Sequence, residues 1–178
     1  MTICGCEINH IHPQCNVSDY ALHSICSSSD LINFKICYVK WLVENGANIL
    51  HKGRDGYGML YLAAFRGNYE LVEYLLSREE SKQLINELTF NDPIKTPLIT
   101  ACMMRMEKNA DIAILLIEHG AIVDKVVLDI IIYNIEHYKY MYNISDIELD
   151  KWVFLKSIIE FKLIKQNPMK FIALRELG

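Results

Sequence analysis

Apolar positions along the chain recur in a helical rhythm that is itself repeated. Leu22, Leu60 and Leu98 are separated by 38 residues each time, and each opens a short apolar run such as Leu60-Tyr61-Leu62-Ala63-Ala64 or Leu98-Ile99-Thr100-Ala101-Cys102. A second apolar segment follows each run, at Tyr38 to Val43, Glu70 to Leu76 and Asp111 to Ile117. In the middle one, Leu71, Val72, Leu75 and Leu76 share one helical face by i, i+3, i+4 spacing. Gly46 and Gly120 follow the second segments of the first and third units, where a left-handed C-cap suits glycine. Each unit therefore predicts a pair of helices. One pair cannot cover its own apolar face, whereas pairs stacked side by side can. The pattern predicts an all-α solenoid of three divergent helix-pair repeats over residues 17–124, divided at 17–53, 54–91 and 92–124.

The repeat fades after Asp124. Val126 to Tyr142 reads as helix, and Ser145-Asp146-Ile147-Glu148 is a capping box that opens another helix to about Lys165. That helix carries Trp152, Leu155, Ile158 and Ile159. The 126–165 pair is expected to form a degenerate repeat, with Tyr138 to Asn143 as a long inter-helix turn. Asn167-Pro168 should end it, with a last short helix beyond. Residues 125–178 are thus expected to cap the stack, and residues 1–16 to form a leader.

Composition narrows the functional classes. The 178 residues suffice for one domain with a core, and 52% are hydrophobic. Eighteen Lys and Arg against 22 Asp and Glu give a net charge of −4. Nucleic-acid binding, which needs a basic footprint, is not expected. No apolar run approaches the roughly 20 residues that cross a bilayer, so no membrane partner is expected. Met1 to Cys4 lacks the basic and apolar regions of a secretory signal. The six cysteines are accordingly expected to be reduced thiols of a cytoplasmic protein, with Cys37 and Cys102 packed as small apolar groups. On the same grounds Asn16-Val17-Ser18 and Asn143-Ile144-Ser145 are chance matches to the glycosylation triplet.

Candidate chemistry concentrates at the N-terminus. Cys4, Cys6, His10, His12 and Cys15, with His23 and Cys26, are ligand types that suit zinc. Cys-x-Cys and His-x-His are not the usual finger spacings. The stretch is read as a leader against the first unit, with zinc as the alternative, and no metal or cofactor is assigned. Gly53 to Gly58 looks glycine-rich but lacks the preceding strand of a phosphate loop and falls where a turn is expected. No catalytic residues stand out. Ser27 to Ser29 reads as a polar loop and Glu79-Glu80 as solvated surface. Tyr133, Tyr138, Tyr140 and Tyr142 read as packing residues.

The units resemble the ankyrin repeat, whose signature is G-x-T-P-L-H-x-A-A followed by a helix ending in L-L-x-x-G-A. Thr96-Pro97-Leu98 and Glu118-His119-Gly120-Ala121 carry the resemblance in the third unit. Asp55-Gly56, Leu60, Ala63-Ala64 and Gly67-Asn68 carry it in the second, and Leu22-His23 with Glu44 to Asn48 in the first. The family period is 33, so each unit holds extra residues: Ser27 to Lys35, Ser77 to Asn86 and Arg105 to Asn109. Gly58-Met59 replaces Thr-Pro in the second unit, and Tyr61 and Ile99 replace the usual His. His23 stands where the repeat places a histidine that bonds the turn backbone.

The resemblance implies non-catalytic protein binding through a concave face of hairpin tips and first helices. Its variable positions map to Lys52, Arg54, Asp55, Tyr57, Phe65 and Arg66 in the second unit. In the third they map to Phe90, Asp92, Lys95, Met103 and Met104. Phe65, Phe90 and Met103 fit inter-repeat packing equally well. Ile49-Leu50-His51 is a further candidate, as an exposed apolar pair at a tip. The long loops and Ile/Asn/Tyr usage are similar to the ankyrin proteins of large DNA viruses, above all poxviruses. That implies a viral protein that binds host proteins and modulates host range or innate defence. A ubiquitin-ligase link would need an F-box-like segment, and none is recognised in Lys165 to Gly178. The alternatives are a bacterial effector or cellular adaptor of the same fold, and a metal-binding protein using the N-terminal cluster.

Overall fold

The computed structural model describes residues 22, 23, 25, 35–53, 56–89, 95–104, 108–141 and 145–167. The leader 1–16, its Cys and His residues, the Ser27–Ser29 loop and the segment after Pro168 lie outside the described residues, as do Arg54, Asp55, Phe90 and Asp92. Seven α-helices are bounded within that set: α1 Lys35–Glu44, α2 Met59–Phe65, α3 Tyr69–Leu76, α4 Pro97–Met103, α5 Asn109–Glu118, α6 Lys125–Met141 and α7 Asp146–Gln166. Leu22, His23 and Ile25 are also helical. No strand occurs among the described residues.

Two ranks result. α2, α4 and α6 pack side by side in one; α3, α5 and α7 pack side by side in the other. α2 with α3, α4 with α5 and α6 with α7 form the pairs that bridge the ranks. Leu22, Leu60 and Leu98 are 1%, 0% and 1% exposed, so the leucines that set the period all sit in the common core. Ala63, Ala64, Ala101, Ala110 and Ala113 are also buried there, and their small side chains let the ranks approach closely.

The caps explain where the helices stop. Gly46 and Gly120 have φ of +92° and +98°, a conformation that costs glycine little. In each case the glycine N–H donates to the third residue back and the following alanine N–H to the fifth: Val43 and Leu42, then Ile117 and Leu116. Both are Schellman endings, and they satisfy carbonyls the helix leaves bare. At the helix starts, the Thr96 hydroxyl accepts from Ile99 N–H, the Asn68 side chain from Leu71 N–H, and the Asp124 carboxylate from Val127 N–H. Ser145 accepts from Glu148 N–H, as the capping box predicts, and α7 runs to Gln166.

Several expectations change. The extra residues after α3 are not irregular loop, because Glu79–Leu84 forms a 3-10 helix that buries Ser81 and Leu84. Tyr138 to Met141 are part of α6, so the inter-helix turn is shorter than expected. The aromatic run continues the helical hydrogen bonding instead of breaking it. Tyr133 is exposed and stacks on His137 at 4.0 Å; it is not a core residue. Cys37 is exposed, on the side of α1 opposite Val39, Leu42 and Val43, whereas Cys102 is buried as expected. Ile49 is buried and Leu50 half-buried, which withdraws the Ile49-Leu50-His51 tip as an exposed apolar pair. The turn folds Ile49 back onto the core through Asn48, whose side chain accepts from Leu50 N–H.

Candidate partner-binding face

The short-helix rank presents the residues the repeat pattern singles out. Tyr57, Tyr61 and Phe65 recur at i, i+4 and i+8, so the entry and body of α2 bring their rings into one column. Tyr57 and Tyr61 stack with centroids 4.6 Å apart and planes 4° from parallel; Tyr61 and Phe65 follow at 6.3 Å and 12°. The Arg66 guanidinium continues the column, 5.4 Å from the Phe65 centroid. Tyr61 is buried at the centre, with Tyr57, Phe65 and Arg66 half-buried around it. Sequence reasoning treated Tyr61 only as a replacement for histidine; the four-residue aromatic spacing was the available signal.

Phe65 and Met103 are the last residues of α2 and α4, neighbours in the same rank. They are therefore successive rungs on one edge of the stack. Phe65 is half-buried and Met103 is 42% exposed. Met104 and Lys95, at the two ends of α4, are half-buried.

Lys52 is less available than its position implies. Its ammonium lies 2.7 Å from the Glu87 carboxylate, so the end of the first unit is tied to the end of the second. The same carboxylate lies beside a departure from the repeat signature. A Cβ placed on Gly58 would crowd Glu87 Oε2. A side chain at position 58 would have to displace the carboxylate end of Glu87, which pairs with Lys52. The cost of glycine there is the helix cap: Gly58 offers no side-chain hydrogen bond to α2.

Units are also joined through turn backbones. His23 Nε2 lies 3.1 Å from the Tyr57 carbonyl oxygen, so the first unit holds the turn of the second in the manner expected of that histidine. The Asn86 amide donates to the Gly120 carbonyl at 3.2 Å and its oxygen accepts from Ile122 N–H at 2.8 Å. These bonds fix neighbouring tips before any partner arrives.

Among the described residues, no group of three or more His, Cys, Asp or Glu side chains is placed to hold a metal ion. Glu79 and Glu80 are exposed and paired with Lys82 and Arg78 respectively. Burial pushes the Cys102 thiol well above its ordinary range, which suppresses the reactive thiolate. Among the described residues, no helix is long and apolar enough to cross a membrane.

Comparison with known proteins agrees with the two-rank architecture. The family model for ankyrin repeats in many copies matches residues 22–76. The human Notch-regulated ankyrin repeat-containing protein is 35% identical over 78 residues, covering 44% of this chain and 61% of the human protein. Zebrafish Notch-regulated ankyrin repeat-containing protein B is 35% identical over the same length, covering 63% of that protein. The Xenopus tropicalis counterpart is 33% identical, with 61% covered. The chain thus spans less than two thirds of the length of these relatives. They are vertebrate proteins, and the similarity to poxvirus proteins gains nothing from them. Repeats of this kind generally act as protein-binding scaffolds. Helix pairs in two parallel ranks, leucines in register and the ankyrin-repeat match over residues 22–76 together establish an all-α ankyrin-like solenoid.

Proposed function

We propose that the chain is a non-catalytic protein-binding module whose partner docks on the edge formed by Tyr57, Phe65, Arg66 and Met103. The observation that carries this reading is the Tyr57–Tyr61–Phe65 column with Arg66 stacked at its end. Aromatic and arginine side chains dominate interface hot spots, and rings already held in a stack lose little freedom on association. The half-buried Lys95 and Met104 would border the contact, with Arg54, Asp55, Phe90 and Asp92 as candidates beyond the described residues.

A cellular adaptor is favoured by the vertebrate relatives. The viral reading, in which the partner is a host factor governing host range or innate defence, rests on the divergent units, long loops and residue usage. Both readings place the protein in the cytoplasm.

Affinity capture followed by mass spectrometry, comparing wild type with the Tyr57→Ala/Phe65→Ala/Arg66→Ala triple variant and with Met103→Glu, tests the site. Loss of the same partners in both variants, with helical content retained, supports it. Retention of every partner by both places binding elsewhere. Met103 is exposed, so the second variant reports on binding independently of the fold of α2.

A further inference from the structure

We propose that α7 is a self-docking surface on which a second copy of this chain packs antiparallel. The helix is used by the stack on one side only. Trp152, Leu155 and Ile159 are buried, Lys151 pairs with Asp111 of α5, and Lys162 lies 3.4 Å from the Ile117 carbonyl oxygen. Away from that side, Ile147, Phe154 and Phe161 recur at seven-residue intervals and are 74%, 58% and 67% exposed. Seven residues make about two helical turns, so these side chains form one stripe roughly 21 Å long.

The rank of α3, α5 and α7 does not carry such a stripe elsewhere among the described residues. The exposed positions of α3 include Glu70 and Glu73, and those of α5 include Glu118. Three large apolar residues in line on a solvated helix mark an interaction surface.

Charge selects the occupant. Asp146 and Asp150, both exposed, flank the N-terminal end of the stripe, and the exposed Lys165 flanks its C-terminal end. A second α7 running antiparallel places Phe154 against Phe154, Ile147 against Phe161, and acidic ends against basic ends. A parallel copy would set like charges together. A two-fold contact needs only one self-complementary patch, which this stripe is. The surface is separate from the short-helix edge, so pairing leaves Phe65 and Met103 available.

Sedimentation equilibrium of the full chain from about 1 to 200 μM tests the proposal. Wild type should show a monomer–dimer equilibrium. Phe154→Glu and Phe161→Glu should each abolish it, with unchanged helical circular dichroism. Asp146→Lys and Lys165→Glu should each weaken pairing by about tenfold, and their combination should restore it, because this register brings Lys165 of one copy nearest Asp146 of the other. Acidic residues at a helix start and a lysine at its end also suit the helix dipole. Reversals that lower the melting temperature but leave association unchanged would overturn the antiparallel pairing. A wild type that stays monomeric throughout, its stripe bare or covered by another segment of the chain, would overturn the proposal. So would a dimer indifferent to Phe154→Glu.

Discussion

The side-chain amide of Asn109, fully buried at the start of α5, donates at 3.0 Å to the carbonyl of Ala64 near the end of α2. The next pair repeats the device, since Asn134 of α6 donates at 2.6 Å to the carbonyl of Cys102 in α4. The last carbonyls of a helix lack intrahelical partners, and short helices deep in a stack have no water to supply them. A residue from the following unit supplies a donor, which at Ala64 adds to the backbone bond from Gly67 N–H at 3.2 Å. Each unit of the array thereby completes the one before it.

Asn109→Ala should destabilise the protein by about 0.5–1.5 kcal/mol, the range for losing one hydrogen bond, because Gly67 N–H keeps the Ala64 carbonyl paired. Asn109→Leu should be no milder, because it removes the donor and adds bulk where Asn109 is wholly enclosed. Urea unfolding followed by circular dichroism checks both. A loss within a few tenths of a kcal/mol would mean that Gly67 N–H alone satisfies the Ala64 carbonyl.

Restoring the family threonine at position 58 should gain less in the wild-type background than its new cap would give alone, because the Glu87 carboxylate must swing aside from Lys52. Gly58→Thr brings its Cβ into the Glu87 carboxylate, although the backbone angle at Gly58 (φ −82°) would accept a side chain. In a Glu87→Ala background the same change should stabilise α2 by about 0.5–2 kcal/mol through a new N-cap bond. The four melting curves of a double-mutant cycle give the coupling, and additive effects would exclude the contact.

Thiol labelling should separate the two described cysteines. Cys37 is exposed and should react readily with iodoacetamide, while the buried Cys102, its thiol held protonated by desolvation, should react only on unfolding. Peptide mapping after a timed pulse reads each site.

One ion pair makes a modest acid-side contribution. The Lys108 ammonium, 2.8 Å from Glu70, holds that carboxyl below the usual glutamate range, with help from a backbone hydrogen bond. A depressed folded pKa stabilises above the unfolded value of about 4.3, and that stability is lost as pH falls through the lower folded value. Both groups are half exposed, so the contribution is small. Lys108→Met should flatten the fall in melting temperature between about pH 5 and 3. An unchanged acid limb would show the pair to be energetically silent.

Where the sequence was legible, short-range physics decided the outcome. The positions of Leu22, Leu60 and Leu98, the glycine caps at Gly46 and Gly120, and the Ser145 cap follow from helical period and the chemistry of helix ends. The histidine bond from His23 to Tyr57 follows from the repeat pattern that places it. Exposure was harder to read, because it depends on which side of a helix the neighbours cover. Cys37 and Tyr133 lie in apolar runs yet face solvent, and Ile49 lies in a turn yet is buried.

By itself, then, the sequence determined helix pairs that cannot shield their apolar faces alone, and hence a stack. Its recurring leucines and capping residues act within a few residues along the chain. Only the tertiary structure decided that Lys52 is held by Glu87, that Tyr61 completes a column with Tyr57 and Phe65, and that Ile147, Phe154 and Phe161 are left outside the ranks. These are relations between surfaces, and a surface exists only once distant segments have been brought together.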